Sequence, residues 1–311
     1  MSYATGDAAN MAAVKTALVN ACTGDGWTDN TDAEGKTVLS KSGCYVRIES
    51  GIDEASNPCL ELLGRTSLDG GDAPNVVSMR TMGIVGISFP LTYHVFTFSD
   101  IEVFMVINYG SSFYQWCAFG QSNMSGLPGS GNWVGASIGS NIPNNNGAIY
   151  ITPTTGGGGT YSSHDFTSAA LFWGTNFKSS YGETRNCWLH NAIEASYPWS
   201  FALGSNFGST MVGPTYMTEL LNTQPNTMTG ESTFLPIRAY KLRESSKCSQ
   251  LVEVTNARHV RCDNLLNRQI ITLGSDQWMV FPWYRRNVSE RDGGLAITHT
   301  GTFGWAIKYD V

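Results

Sequence analysis

The sequence predicts a mostly β protein, in which antiparallel sheets form a sandwich or barrel, with one N-terminal α-helix and long loops rich in glycine and asparagine. Three observations predict this class. Short segments alternate apolar and polar residues, strand-like segments recur about every ten residues towards the C-terminus, and the 311 residues include 34 glycines. With 12% aromatic and only 14% charged residues, the composition excludes an intrinsically disordered chain. No apolar run approaches the roughly 18 residues of a membrane span.

The first element is a helix, which we predict over residues 7–22. Its apolar residues recur at spacings of three and four, the period of one helix face. They are Met11, Val14, Leu18 and Ala21. Thr5 or Asp7 is placed to cap the N-terminus, and Gly24 is placed to end the helix.

Strands follow in the first part of the chain. Residues 44–49 and 59–63 alternate apolar and polar positions between Gly, Asn or Ser residues, as half-buried strands do. Three aromatic and β-branched segments, 89–98, 101–109 and 112–119, predict a three-stranded meander. Because these segments are apolar on both faces, we expect the meander to lie at the centre of a sheet.

The remainder divides into a glycine-rich stretch and a second strand-rich region. Residues 120–165 sustain neither period and predict a long loop with one short strand at 148–152, while residues 166–233 are difficult to interpret. Seven strands are predicted after that: 234–243, 249–254, 257–263, 268–273, 277–284, 294–299 and 302–309.

We therefore divide the chain into a helix-plus-sheet region (1–120), a Gly/Ser/Asn-rich loop region (121–165) and a β-rich region (166–311), or else into one continuous domain. Charge is uneven along it: residues 1–177 carry 6 basic and 14 acidic side chains, and residues 178–311 carry 13 and 11. Either two faces meet opposite partners, or the charges drifted by chance. Neither half is basic enough to predict nucleic-acid binding.

One segment, Gly135-Ala136-Ser137-Ile138-Gly139, matches the G-x-S-x-G motif of α/β-hydrolases. That motif requires a strand, a tight turn and then a helix. Pro143 follows too closely for a helix, and no alternation of strands and helices surrounds the motif. No other nucleophilic or acid–base set can be assembled from residue spacing, so we expect no enzymatic activity.

A zinc site is the second chemical candidate. Cys187 and His190 have the spacing C-x2-H, and His259 and Cys262 have H-x2-C, so these four residues would suffice for a tetrahedral site. Within a strand, however, a spacing of three places His259 and Cys262 on opposite faces. The alternative is two structural cysteines and two hydrogen-bonded histidines, and we expect no cofactor.

Several residues are candidates for binding a partner. Arg238, Lys241 and Arg243 lie in a predicted strand and would suit an acidic partner, unless they form the solvated side of a sheet. Trp133, in the glycine-rich stretch, would stack on a sugar ring if it is exposed. An acidic cluster around Asp32 has the wrong spacing for a calcium loop and predicts a solvated turn.

The seven cysteines are an odd number, and most lie in apolar settings. They predict reduced thiols in a protein made in a cytoplasm. The first residues also lack the basic and apolar regions of a signal peptide.

Three stretches resemble structural proteins of tailed-bacteriophage virions, encoded among tail, neck and baseplate genes. The stretches are Gly26-Trp27 with LSKSGCYVRI (39–48), YHVF (93–96) with EVFMVINY (102–109) and YQWCAFG (114–120), and RDGG (291–294) with HTGTFGWAIKY (299–309). The resemblance implies a non-enzymatic, ring-forming subunit that is assembled in the bacterial cytoplasm and located in the virion. Its partners would be other virion proteins and copies of itself. The alternative is a carbohydrate-binding β-sandwich that recognises a host-surface glycan at a tail tip.

Overall fold

The structure, a computed structural model, describes residues 1–53, 56–82, 86–110, 112–122, 130–140, 172–173, 177–179, 182–184, 186–191, 198–202, 210–211, 233–243, 247–262, 264–284 and 303–310. Within these ranges the chain forms one α-helix and many strands, so the mostly β prediction is confirmed. No helix of the described part is long and apolar enough to cross a membrane.

The elements occur along the chain in the following order. They are β1 (Ser2–Ala8), α1 (Met11–Gly24), β2 (Thr28–Thr31), β3 (Thr37–Lys41), β4 (Cys44–Ile52), β5 (Pro58–Arg65), β6 (Val77–Met82), β7 (Leu91–Phe98), β8 (Glu102–Tyr109), β9 (Phe113–Gln121), β10 (Asn132–Ala136), β11 (Ile138–Ser140), β12 (Phe177–Ser179), β13 (Gly182–Thr184), β14 (Cys187–His190), β15 (Trp199–Ala202), β16 (Thr210–Met211), β17 (Phe234–Arg243), β18 (Lys247–Arg261), β19 (Ile270–Leu273), β20 (Asp276–Pro282) and β21 (Phe303–Lys308).

Three sheets contain nearly all of these strands. The central sheet has eight, in the order β1-β7-β8-β9-β10-β14-β15-β16; a second has six, β11-β6-β5-β4-β3-β2; a third has five, β17-β18-β21-β20-β19. Strands β12 and β13 form a separate hairpin. Pairing is antiparallel except between β6 and β11 and between β15 and β16.

The central sheet is covered on both faces, which makes the protein a three-layer sandwich. On one face, Trp27 packs edge-on against Phe119 of β9, at 5.2 Å between ring centroids, and α1 contacts β1 and β7 of the central sheet as well as β4. On the other face, Trp116 of β9 packs at 5.5 Å against Trp305 of β21. Since Trp116 and Phe119 are three residues apart in one strand, they point to opposite faces.

The predicted helix begins four residues too early. Residues 2–8 form β1, which pairs with β7, and Thr5, one of the predicted caps, instead donates its hydroxyl to the carbonyl of Tyr93. The cap is Asn10, whose Oδ1 accepts the N–H of Ala13 at 2.9 Å. The pairing with β7 overrides the helical pattern at this end. The helix ends at Gly24, the glycine expected to end it, two residues beyond the predicted range.

The strands predicted in the first part are present, whereas β2, β3 and β6 were not predicted. Segments 44–49 and 59–63 lie in β4 and β5. The meander is β7, β8 and β9, and these strands lie inside the central sheet, as their two-sided apolar character predicts.

The strands after residue 120 agree in part with the predicted strands. Strand β17 has the predicted bounds, and β19, β20 and β21 lie within or overlap predicted strands. Segments 249–254 and 257–263 are one strand, β18, whose pairing with β17 shifts register twice. In the glycine-rich stretch, the prediction of loop alone is wrong at β10 and β11. The strands predicted at 148–152 and 294–299 lie outside the described residues.

Most buried apolar residues belong to one contiguous cluster, which contains members of all three layers and extends along the chain from Ala8 to Ile307. A smaller cluster, built around Val260 and Trp278, lies within the five-stranded sheet. The division at residues 120 and 165 stays a prediction; β9 and β10 pair across the first of these boundaries. The cysteines described at side-chain level are free and buried.

Candidate functional site

Ser137 of the G-x-S-x-G segment lies where the chain crosses between two sheets. Strand β10 before it belongs to the central sheet, and β11 after it pairs with β6 of the six-stranded sheet. Ser137 is buried. Its Oγ accepts the N–H of Trp116 at 2.8 Å, and its own N–H donates to the carbonyl of Trp116 at 2.8 Å. A strand, rather than a helix, follows directly, so this serine has a structural role.

We predict that Ser137→Ala lowers the free energy of unfolding by about 1–3 kcal/mol, because the buried N–H of Trp116 loses its acceptor. Urea unfolding followed by tryptophan fluorescence measures the loss. Ser67→Ala is the matched control: that exposed hydroxyl donates to Gly70, and its removal should cost less than about 0.5 kcal/mol. A variant that keeps its stability but loses an esterase activity of the wild type would contradict this role.

The four candidate zinc ligands are not brought together. Cys187 and His190 lie in β14 of the central sheet, whereas His259 lies in β18 and Cys262 just after it. No group of three or more His, Cys, Asp or Glu side chains suited to a metal occurs among the described residues. The two short pairs belong to different sheets, and the four side chains form no such group in the described part of the chain.

These four residues make other contacts. The Sγ of Cys187 accepts the N–H of Trp173 at 3.3 Å, and the Nδ1 of His190 accepts the N–H of Ser130 at 3.1 Å. The ring of His259 lies 5.4 Å from that of Trp283, and burial lowers the pKa of His259 to about 3. Cys262 packs in the smaller apolar cluster. Cys187, His259 and Cys262 are buried, and His190 is half-buried.

Trp133 is only 2% exposed, so the prediction of an exposed sugar-stacking ring is wrong. Strand β10 lies between β9 and β14 in a sheet that is covered on both faces. The Trp133 ring packs edge-on against Phe172 at 5.4 Å and lies 6.3 Å from Phe104. A residue placed there cannot contact a glycan at the surface.

The basic candidates of β17 do not form a common exposed face. Lys241 is 3% exposed and is buried together with Ile237 and Ala239, so its predicted place on a binding surface is wrong. Arg238 donates from Nε to the carboxylate of Glu253 at 2.7 Å, within the same sheet. The side chain of Arg243 lies outside the described residues. Alternation along the strand separates Arg238 from Lys241.

The acidic cluster contains a buried ion pair that residue spacing did not predict. Asp32 is buried rather than solvated, and its Oδ2 lies 3.0 Å from Nη1 of Arg65. Arg65 also donates from Nε to Asp72 at 2.6 Å and from Nη1 to the carbonyl of Leu68 at 2.6 Å. Hydrogen bonds from the Lys36 and Glu34 N–H groups hold the pKa of Asp32 below its usual value. The arrangement joins the segment before β3 to the segment that follows β5.

A second buried polar group joins the central sheet to the five-stranded sheet. The Oε1 of Glu102 accepts the N–H of Thr255 at 2.7 Å, and its Oε2 accepts the N–H of Asn256 at 2.8 Å. The side-chain amide of Asn256 donates to Glu102 at 3.0 Å and to both oxygens of Asp100 at 2.9 Å. Burial raises the pKa of Glu102 to about 7. Residue spacing did not identify this contact; the signal was a glutamate that opens an otherwise apolar strand.

The feature of the described surface best suited to binding is the free edge of the five-stranded sheet. We call it the assembly edge and define it as residues 266–273. Strand β19 pairs only with β20 among the described strands. Leu266, Ile270 and Leu273 are 59%, 45% and 43% exposed. An exposed apolar edge is a ready template for another strand.

The hydrogen-bonding parity of the edge follows from one contact. Val280 donates its N–H to the carbonyl of Gln269 at 3.0 Å, so Gln269 faces β20. Since successive residues of an antiparallel strand alternate in direction, Ile271 and Leu273 also bond towards β20. Ile270 and Thr272 therefore present their N–H and C=O groups outwards.

Arg268 introduces this edge in an unusual conformation. It occupies the third position of a turn in which Gln269 donates its N–H to the carbonyl of Leu266 at 3.1 Å. Its φ of 63° lies in the left-handed region, where glycine is favoured. Its own N–H donates to the carbonyl of Val280 at 2.7 Å, which forms a β-bulge. Arg268 is exposed and lies close enough to Tyr3 and His94 of the central sheet for its charge to lower their pKa values.

These geometric features are the basis for assigning a function, since no model of a known protein family matches the sequence and a search of curated proteins finds no significant match.

Proposed function

We propose that this chain is a non-enzymatic structural subunit of a tailed-phage virion, a ring-forming component of the tail, neck or baseplate. The observation that carries the proposal is the assembly edge. Monomeric proteins cover or charge their free edges, whereas β19 exposes Ile270 and Leu273 and contains no charged residue. Subunits that complete each other's sheets have use for such an edge.

Charge separation between the two covering layers gives further support. Among the described residues of 28–82, which supply β2 to β6, eight are Asp or Glu and five are Lys or Arg. Among the described residues of 234–310, which supply the five-stranded sheet, three are acidic and eight are basic. These layers lie on opposite faces of the central sheet, so the acidic layer of one subunit complements the basic layer of the next. Head-to-tail contacts of this kind generate a ring when the rotation between subunits closes.

The rival functions depend on residues that are buried. A hydrolase would need an accessible Ser137, but its hydroxyl bonds to the backbone of Trp116 inside the fold. The carbohydrate-binding hypothesis depends on an exposed Trp133, and that ring packs among other aromatic rings. Neither residue supports a surface site, whereas the assembly edge is exposed.

Purified phage particles from the strain that carries the gene test this proposal. Quantitative mass spectrometry should find the chain at a fixed copy number that matches a ring symmetry, and gold-labelled antibody should mark one place on the tail or neck. Absence from purified particles, or a variable trace amount, would contradict the virion role. This readout does not depend on which surface joins the subunits.

A further inference from the structure

We infer that the assembly edge pairs with the same edge of a second copy of this chain. The two β19 strands would run antiparallel about a twofold axis, and two five-stranded sheets would become one sheet of ten strands. The inference rests on the proposed assembly role and names the partner of this edge. A twofold contact joins two copies, and the ring itself would be closed by the head-to-tail contact between the acidic and basic layers. The inference stands on backbone parity and on charge.

Backbone parity selects the register. Only Ile270 and Thr272 of β19 direct both N–H and C=O away from β20, as the Val280–Gln269 bond requires. Antiparallel pairing about Ile271 places Ile270 opposite Thr272 of the second copy, and Thr272 opposite its Ile270. Each of these two pairs exchanges two hydrogen bonds, so the outward groups of both residues are satisfied.

The charges agree with this register. Residues 269–275 contain no Asp, Glu, Lys or Arg, so no like charges oppose each other along the paired strands. Arg268 lies one residue before this segment, and in the proposed pairing it faces Gly274 of the second copy. The turn at Gly274 leads to Asp276 of the second copy, which an extended Arg268 side chain would reach. Within its own chain, Asp276 is partly exposed and pairs with Lys308 at 3.1 Å. The twofold axis repeats the contact at the other end.

Arg268 separates edge pairing from its prevention. It is one of five described non-glycine residues with a positive φ, so its charge, rather than its backbone conformation, distinguishes the two cases. Two purposes are compatible with an exposed charge at a sheet edge: attraction of a neighbour's carboxylate, or repulsion that prevents edge pairing. If Arg268 attracts a neighbour's carboxylate, loss of its charge weakens dimerisation. If Arg268 prevents edge pairing, loss of its charge strengthens dimerisation.

Cysteine cross-linking tests the register. Ile271→Cys places one thiol on the twofold axis, at a non-hydrogen-bonded pair where side chains approach closely. Thr272→Cys is the matched control, because residue 272 would be diagonal to itself at about 7–8 Å, too far for an unstrained disulfide. Mild oxidation should yield disulfide dimers of the first variant and few of the second. Equal yields from both, or no dimer from either, would overturn the inference.

Sedimentation velocity with two further variants tests the edge itself. Thr272→Pro removes an N–H that bonds to none of the described residues of the subunit, and proline is tolerated at such edge positions. It should abolish the dimer, and circular dichroism should report an unchanged fold. Arg268→Gly should raise the dissociation constant about fivefold, as expected for two exposed ion pairs, without loss of thermal stability.

A tighter dimer after Arg268→Gly would show that the arginine blunts the edge, and would overturn the inference. Dimers that persist with Thr272→Pro would overturn it as well. Either result leaves the virion role to be decided by the copy number in purified particles, so the two proposals fail separately.

Discussion

Replacing Arg65 by methionine is expected to lower the free energy of unfolding by about 3–5 kcal/mol, the usual cost of removing one partner from a buried ion pair. Arg65 is 4% exposed and bonds to Asp32, Asp72 and the carbonyl of Leu68. Its loss leaves the buried carboxylate of Asp32 without its shortest cationic contact, since Arg47 lies farther away at 3.6 Å. Urea unfolding measures the change.

Arg238→Met provides the matched control for this prediction. Arg238 also forms a short ion pair, with Glu253 at 2.7 Å, but both side chains are about one-third exposed. Exposed pairs contribute at most about 1 kcal/mol. Adding Asp32→Asn to the Arg65 variant should recover part of its loss, because the unpaired charge is then removed. Equal losses at Arg65 and Arg238 would refute the role of burial.

At pH 8, where its side chain is a carboxylate, Glu102→Gln is expected to lower the free energy of unfolding by about 2–4 kcal/mol. Both carboxylate oxygens accept backbone N–H groups, those of Thr255 and Asn256. A glutamine amide must turn its NH₂ towards one of these donors, which leaves a buried N–H unsatisfied. Because Thr255 and Asn256 belong to β18, the loss should loosen the five-stranded sheet from the central sheet. Hydrogen exchange of β18 amides should increase more than that of β4 amides.

The same residue should make stability depend on pH. Burial raises the pKa of Glu102 from 4.5 to about 7, so between these values the folded state holds a proton that the unfolded chain releases. The stabilising contribution of this group is complete below pH 4.5 and decreases as pH rises towards 7. Urea midpoints at pH 5, 6, 7 and 8 should show this decrease in the wild type, but not in Glu102→Gln. An identical decrease in both proteins would assign it to other groups.

The strands predicted best from the sequence are those whose burial on one or both faces determines which of their residues are apolar. Alternation in β4 and β5 reflects one exposed face, and the continuous apolar character of β7, β8 and β9 reflects a sheet covered on both faces. Strand β1 has neither the alternation nor the continuous apolar character. Its partner β7 begins more than eighty residues later, so nothing local distinguishes it from the start of a helix.

Glycine was the main source of error in the middle of the chain. Gly135 lies in β10, and a Cβ there would stand 2.9 Å from the Sγ of Cys187 and 3.2 Å from the ring of Trp116. The residue permits close packing, whereas its composition resembles a loop. The burial of Trp133 could not be predicted for a second reason: the Phe172 ring that covers it comes from a distant part of the chain.

The buried polar contacts could not be predicted from spacing. Glu102 and Asn256 are separated by 154 residues, and Arg65 and Asp32 by 33. In the sequence, each of these residues has the polarity of an exposed residue, and only the packing of the sheets buries it. The assembly edge was partly predictable, since a strand was expected at 268–273, but its free side follows only from the order of the strands.

The three-layer architecture has a consequence for how this protein can diverge. Apart from β11, each covering sheet is made from one continuous stretch, β2 to β6 or β17 to β21, whereas the central sheet collects strands from the first half of the chain and beyond. Each outer sheet can therefore accumulate substitutions, or be exchanged as a unit, without rerouting the chain. The central strands have no such freedom, because each side chain that changes must still fit one of two covers. We expect sequence variation among descendants of this protein to concentrate in the two outer sheets.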